Sequence, residues 1–167
     1  GKRILELEED PQTALILSFC YQQLKDKGNA LKYAKRHNTY KFKLQRMFLY
    51  FDMYCYDEGI QMCQELLVDP DADELTKEFA DRNYTSYLAR QSFSEADIET
   101  LFAYIPRIKD DIDSFGSTQD NLLNCVAFWK NVKGFELLIT KYGANPFLLN
   151  KYKDSALTHV IENESTS

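Results

Sequence analysis

Apolar residues recur along this chain at the spacing of a helix, and the recurrence itself repeats. From Asn121 to Asn163 the sequence puts Leu122, Leu123, Val126 and Ala127 on one face and Phe135, Leu138, Ile139 and Tyr142 on a second. That i, i+3, i+4, i+7 spacing collects side chains on one side of an α-helix. Gly143 ends the second helix, because glycine enters the left-handed conformation past a helix C-terminus without a Cβ penalty. Leu157, Val160 and Ile161 then repeat Leu123, Val126 and Ala127 at an offset of 34 residues. Ile98, Leu101, Phe102 and Ile105 precede the Phe135 set by 37 residues, and Ile60, Cys63 and Leu67 lie 38 further back, with Gln64 breaking the fourth match. Periods in the thirties predict helical pairs stacked as a solenoid, each burying its apolar face only against its neighbour.

The earlier part of the chain reads as helices too. Asp10-Pro11 is a helix start, and the helix it opens runs to about Lys27, closed by Gly28. Its first half leaves so little polar surface that it is expected in the interior. Asn29 caps a short second helix ending near Asn38. A third, from Thr39 to about Asp57, carries one stripe of Leu44, Met47, Phe48, Phe51 and Cys55 and another of Phe42, Leu49, Met53 and Tyr56, so it packs between neighbours. The fourth turns Ile60, Cys63, Leu66 and Leu67 inward and stops at Asp69-Pro70. Asp71 caps the fifth, with Ala72, Leu75 and Phe79 facing in. Ser94 to Asp97 forms a capping box with Phe93 and Ile98 as its staple. Six Gly and four Pro are too few for a turn-rich β architecture, and 44% hydrophobic residues argue against disorder. The expected class is all-α, a helical-repeat solenoid.

Gly143-Ala144-Asn145-Pro146 and, nine residues after Pro146, Ser155-Ala156-Leu157-Thr158 carry a family signature. They resemble the Gly-Ala-Asp-Pro turn and the Thr-Pro-Leu-His helix opening of the ankyrin-repeat family, although no Thr-Pro-Leu-His is intact. The resemblance puts ankyrin-like helix pairs at the C-terminal end, residues 83–167, after an N-terminal helical region, 1–82, the two packed as one continuous unit. It implies a scaffold for a protein partner, bound across turn tips and first helices. Those positions fall here at Asp111 to Thr118, Phe128-Trp129-Lys130 and Leu149 to Asp154. They hold aromatic residues beyond the needs of a core, so Phe115, Phe128, Trp129, Lys130 and Tyr152 are the candidate partner-binding residues. Packing of Trp129 under Phe135 as core is the alternative for that residue.

A net charge of −6 disfavours generic nucleic-acid binding, but the sign reverses between Lys25 and Arg46, where eight basic residues face the single acid Asp26. With Tyr33 and Tyr40 interleaved, Lys32, Lys35, Arg36, Lys41 and Lys43 form an alternative site, for nucleic acid or a phosphorylated head group. A solvated face gives the same pattern, and a regulatory arm of a larger enzyme is a third reading. The Gly1 start, without Met, points to a fragment of a longer protein.

Enzymatic and metal chemistry find little footing. Asp69, Asp71 and Asp73 alternate as in a calcium loop, but the glycine and the bidentate glutamate such a loop needs are replaced by Glu74 and Ala80. His37 and His159 have no metal-spaced partners, and no phosphate-cradling or nucleophile-elbow motif occurs. No cofactor and no metal are expected. Cys20, Cys55, Cys63 and Cys125 fall inside helical patterns and read as buried thiols of a reducing compartment, cytoplasmic or otherwise intracellular. The longest apolar run, Phe48 to Tyr56, is broken by Asp52 and too short for a membrane span.

Overall fold

The computed structural model describes residues 10–117 and 119–165; Thr118, at the end of the first expected turn tip, lies outside them. The described residues are helical, with no strand. Ten helices follow one another among the described residues: α1 (Pro11–Gln23), α2 (Lys27–Ala34), α3 (Tyr40–Asp52), α4 (Tyr56–Val68), α5 (Glu74–Ala89), α6 (Glu95–Tyr104), α7 (Pro106–Asp110), α8 (Leu122–Phe128), α9 (Val132–Thr140) and α10 (Ala156–Ser165). None is long and apolar enough to cross a membrane. They divide into two compact units, one up to Ala80 and one from Asp81.

In the first unit α1 packs on α2, and α3 packs on α1, α2 and α4, the between-neighbours position its two stripes predict. Ala30, Ala34 and Leu49 form a core cluster flanked by Tyr21 and Leu31. Polar groups are buried beside it. Ser18 donates to the Ala30 carbonyl at 2.7 Å, and the Gln45 amide reaches Ser18 at 3.2 Å and Gln22 at 2.8 Å. Arg46, 6% exposed, donates to the Ala34 and His37 carbonyls at 2.7 and 2.8 Å and to Asn38. It thereby satisfies carbonyls that the end of α2 leaves without an intrahelical donor.

Several boundaries and faces differ from the sequence reading. Helix α1 ends at Gln23, not near Lys27, and exposes Ile16 and Phe19, so it is not an interior helix. Gly28 closes nothing, because it lies in the first turn of α2, which Asp26 rather than Asn29 caps by accepting the Asn29 N–H at 3.2 Å. Helix α3 stops at Asp52, and Tyr56 opens α4. Asp73, not Asp71, caps α5 through the Thr76 N–H at 2.8 Å, which turns Leu75 outward to 58% exposure. Of the four free thiols Cys63 is fully buried, Cys55 and Cys125 are partly buried, and Cys20 is exposed.

One turn joins helices three times. Lys25, Tyr54 and Lys130 take φ of 61°, 61° and 57°. The residue after each donates five positions back: Asp26 to Tyr21 at 2.9 Å, Cys55 to Tyr50 at 2.8 Å, Asn131 to Val126 at 3.1 Å. This is a Schellman closure with a non-glycine residue in the left-handed position. Asp26, Cys55 and Asn131 then act as N-caps with closely similar backbone angles, φ −90°, −89° and −83°, ψ 77°, 73° and 84°. The pairs α1/α2, α3/α4 and α8/α9 therefore turn alike.

In the second unit α8 packs against both α9 and α10. Leu122, Leu123, Val126, Ala127 and Leu138 are buried, as are Ile98, Leu101, Phe102 and Ile105 on the earlier turn of the pattern. The Ser94–Asp97 capping box is complete in both directions. Asn131 donates to the carbonyls of Ala89 and Gln91 at 3.1 and 3.0 Å, and Tyr142 meets Phe102 edge-on at 5.6 Å. Gly143 has φ 69°, the left-handed conformation expected of it. Leu157 and Ile161, which the 34-residue offset placed in the core, are exposed; it is Ala156, at the start of α10, and Ser155 just before it that are buried.

Candidate functional site

The site is built on two loops that share a conformation 34 residues apart. Asp111 accepts the Asp113 N–H and Asn145 the Phe147 N–H, both at 3.0 Å, as Asx turns. Gly116 donates to the Asp120 carbonyl at 3.1 Å and Gln119 to Gly116 at 3.0 Å; Asn150 donates to Asp154 at 2.9 Å and Lys153 to Asn150 at 3.0 Å. Gln119 and Lys153 both adopt the left-handed region, φ 64° and 65°. Each loop ends in a helix cap: Asn121 accepts the Asn124 N–H at 2.8 Å, and Ser155 Oγ accepts the Thr158 N–H at 3.1 Å. The loops are tied together, since the Asp113 carboxylate accepts the Asn145 N–H at 2.8 Å. Arg107 holds the first through Ser114 at 2.9 Å while its other nitrogen pairs with Asp81 at 3.0 Å.

Between α8, the second loop and α10 lies a groove of about 340 Å³. Phe128, Trp129 and Tyr152 line it, 55%, 39% and 64% exposed, with Asp120, Asp154 and His159 beside them. Phe128 meets Trp129 edge-on at 5.2 Å and the His159 ring edge-on at 5.9 Å. Arg90 lies over the Trp129 ring at 3.8 Å and over Tyr87 at 4.3 Å, and the Lys151 ammonium lies 5.1 Å from the centre of the Tyr152 ring. Asn124 also lines the groove; it is 2% exposed, and its side-chain Nδ2 has no hydrogen-bond partner. A buried amide donor without an acceptor carries a desolvation penalty that an incoming carbonyl removes.

Burial pushes the Asp120 carboxyl above its ordinary value; His159 opposes this, and the Asp154 charge adds to it. Burial, reinforced by Asp120, pushes the Cys125 thiol up to about 12, so it stays protonated and a poor nucleophile at neutral pH. Among the described residues no three His, Cys, Asp or Glu side chains converge as metal ligands.

No family model, curated protein or solved structure matches this chain. Its site therefore rests on geometry alone. Of the residues singled out by sequence, Phe128, Trp129 and Tyr152 meet at the groove. Lys130 instead forms the left-handed turn and borders a separate, largely apolar hollow of about 200 Å³ with Val132, Phe135 and Val160. Phe115 is half-buried in the first loop, away from the lining.

The basic stretch differs in exposure along its length. Lys43 is largely buried and lies 3.8 Å from both Glu65 and Asp69; Lys32 and Arg36 sit over the Tyr33 ring at 6.0 and 5.0 Å. Lys35 and Lys41 are exposed.

The sequence did not single out Asp120 or Asn124, held Asp154 only as the end of a turn tip, and offered His159 only as a metal ligand without partners. Their signal was the same offset of 34, which relates Asp120 to Asp154, Asn121 to Ser155 and Cys125 to His159 as it relates the apolar positions.

Proposed function

We propose that this chain is a protein-binding module, built of helical pairs of the ankyrin type over its second unit, that receives a segment of a partner protein in the groove between α8, the second loop and α10. The observation that carries this reading is the meeting of Phe128, Trp129 and Tyr152, all exposed, around one concavity whose buried Asn124 donor has no partner. Large aromatic side chains with few rotatable bonds are favoured interface anchors. Two loops of equal conformation, each followed by a capped helix, support the repeat architecture, and the resemblance around Gly143 and Ser155 fits it. The groove lies at a loop tip and at the end of a first helix, where that architecture presents its binding surface.

The test is quantitative capture from an extract of the source cells by the parent and by Tyr152→Ala and Phe128→Ala. Each variant is expected to lose about 1–3 kcal/mol of partner affinity while its melting temperature stays near the parent's, since both side chains are exposed. Capture that is unaffected by either variant but lost on reversing Lys32, Lys35 and Lys41 moves the site to the basic stretch.

A further inference from the structure

We propose that the groove recognises an extended peptide segment through a lysine or arginine side chain, a specificity that rests on the partner-binding reading above. Two carboxylates line it, Asp120 and Asp154, both half-buried and, among the described residues, neither in an ion pair. Phe128, Trp129 and Tyr152 line it beside them. A cation between carboxylates and ring faces gains charge-assisted hydrogen bonds and attraction to the rings' negative faces. Two of these rings already attract cations within the chain, Arg90 over Trp129 and Lys151 near Tyr152.

Asp120, Asp154 and His159 line the groove, and Arg90 and Lys151 lie against the Trp129 and Tyr152 rings that line it. Among the described residues neither of these two basic side chains pairs with Asp120 or Asp154. Asn124 supplies the second contact. Its unpartnered Nδ2 is a buried donor that a backbone carbonyl satisfies, and an extended peptide presents one beside each side chain. Ligand cation and ligand carbonyl thus meet two different unsatisfied groups in one groove. The burial that raises the Asp120 carboxyl acts in the same sense, because a bound cation offsets the cost of the buried charge.

Trp129 is the sole tryptophan, so its emission reports on groove occupancy without a label. The probes are acetylated, amidated Ala-Ala-X-Ala-Ala peptides with X lysine, arginine, norleucine or glutamate, titrated against the parent, Asp120→Asn, Asp154→Asn and Asn124→Ala. Lysine and arginine peptides should bind saturably and about tenfold or more tighter than norleucine. Asp120→Asn and Asp154→Asn should each remove most of that preference without weakening norleucine binding, and Asn124→Ala should weaken all the bound peptides alike. Equal affinity for lysine and norleucine overturns the cation specificity and leaves the groove as an apolar binding site. Preference for glutamate overturns it in favour of Arg90 and Lys151. If no peptide perturbs Trp129, the groove itself fails as the binding site.

Discussion

Replacing Gly134 by alanine should destabilise the protein, although alanine is the better helix former. Gly134 lies in the first turn of α9, where propensity alone favours alanine by at most about 1 kcal/mol. A Cβ there falls 2.6 and 2.7 Å from Cζ and Cε1 of Phe93 and 2.8 Å from Nδ2 of Asn131. Carbon contacts are comfortable near 3.5–4.0 Å, so these neighbours must retreat by roughly 1 Å. Phe93 is half-buried, and Asn131 is fixed from both ends, accepting the Gly134 N–H at 3.0 Å while donating to the Ala89 and Gln91 carbonyls. Overpacking costs about 1–3 kcal/mol and each strained hydrogen bond about 1 more. The sum exceeds the propensity gain, leaving a net loss of about 1–3 kcal/mol. Gly28→Ala is the matched control: it too lies in a first turn, and its Cβ meets only an Asp26 oxygen at 4.0 Å. Urea unfolding of both variants should show opposite signs, Gly134→Ala less stable than the parent and Gly28→Ala equal or slightly more stable. If Gly134→Ala matches or exceeds the parent, the junction of Phe93, Asn131 and α9 is not close-packed and the reasoning fails.

Two further outcomes follow from backbone and charge. Lys130→Gly should raise the urea midpoint by the equivalent of at most about 1 kcal/mol, because relief of the left-handed strain at φ 57° outweighs glycine's greater freedom in the unfolded chain; a lower midpoint contradicts this. Asp120→Asn should raise the melting temperature at pH 7. A carboxyl whose folded-state value is raised stabilises while protonated and loses that contribution as pH rises through the folded value, so the variant's gain should fade as pH drops below the ordinary 3.8. A gain independent of pH would be inconsistent with the charge being its cause.

What could be read from the sequence was largely local. The Asp10-Pro11 start, the Ser94–Asp97 box and Gly143 depend on residues within a few positions of one another, and all take the expected form. The apolar set from Ile98 to Ile105 is buried as its periodicity requires. The turns were misread where tertiary packing overrode propensity: Lys25 and Tyr54 take left-handed conformations that composition assigns to glycine, while Gly28 enters a helix. Arg46 read as part of a solvated basic face because its partners, the carbonyls closing α2, are not adjacent in sequence, and no pattern marked the buried Gln45, whose partners Ser18 and Gln22 are more distant still. At the groove, surplus aromatics marked Trp129 and Tyr152, but the polar lining is contributed by two loops and three helices. No short motif announces such an assembly. The 34-residue offset does, once it is followed through polar positions as well as apolar ones.

The central claim is that a partner occupies the groove between α8, the second loop and α10. Its most direct test is amide hydrogen exchange of this chain, free and bound to the partner recovered by Tyr152-dependent capture. The account predicts slowed exchange on binding at residues 119–129 and 149–160, with residues 32–46 unchanged. Protection confined to 32–46, with the groove exchanging as in the free chain, would contradict it.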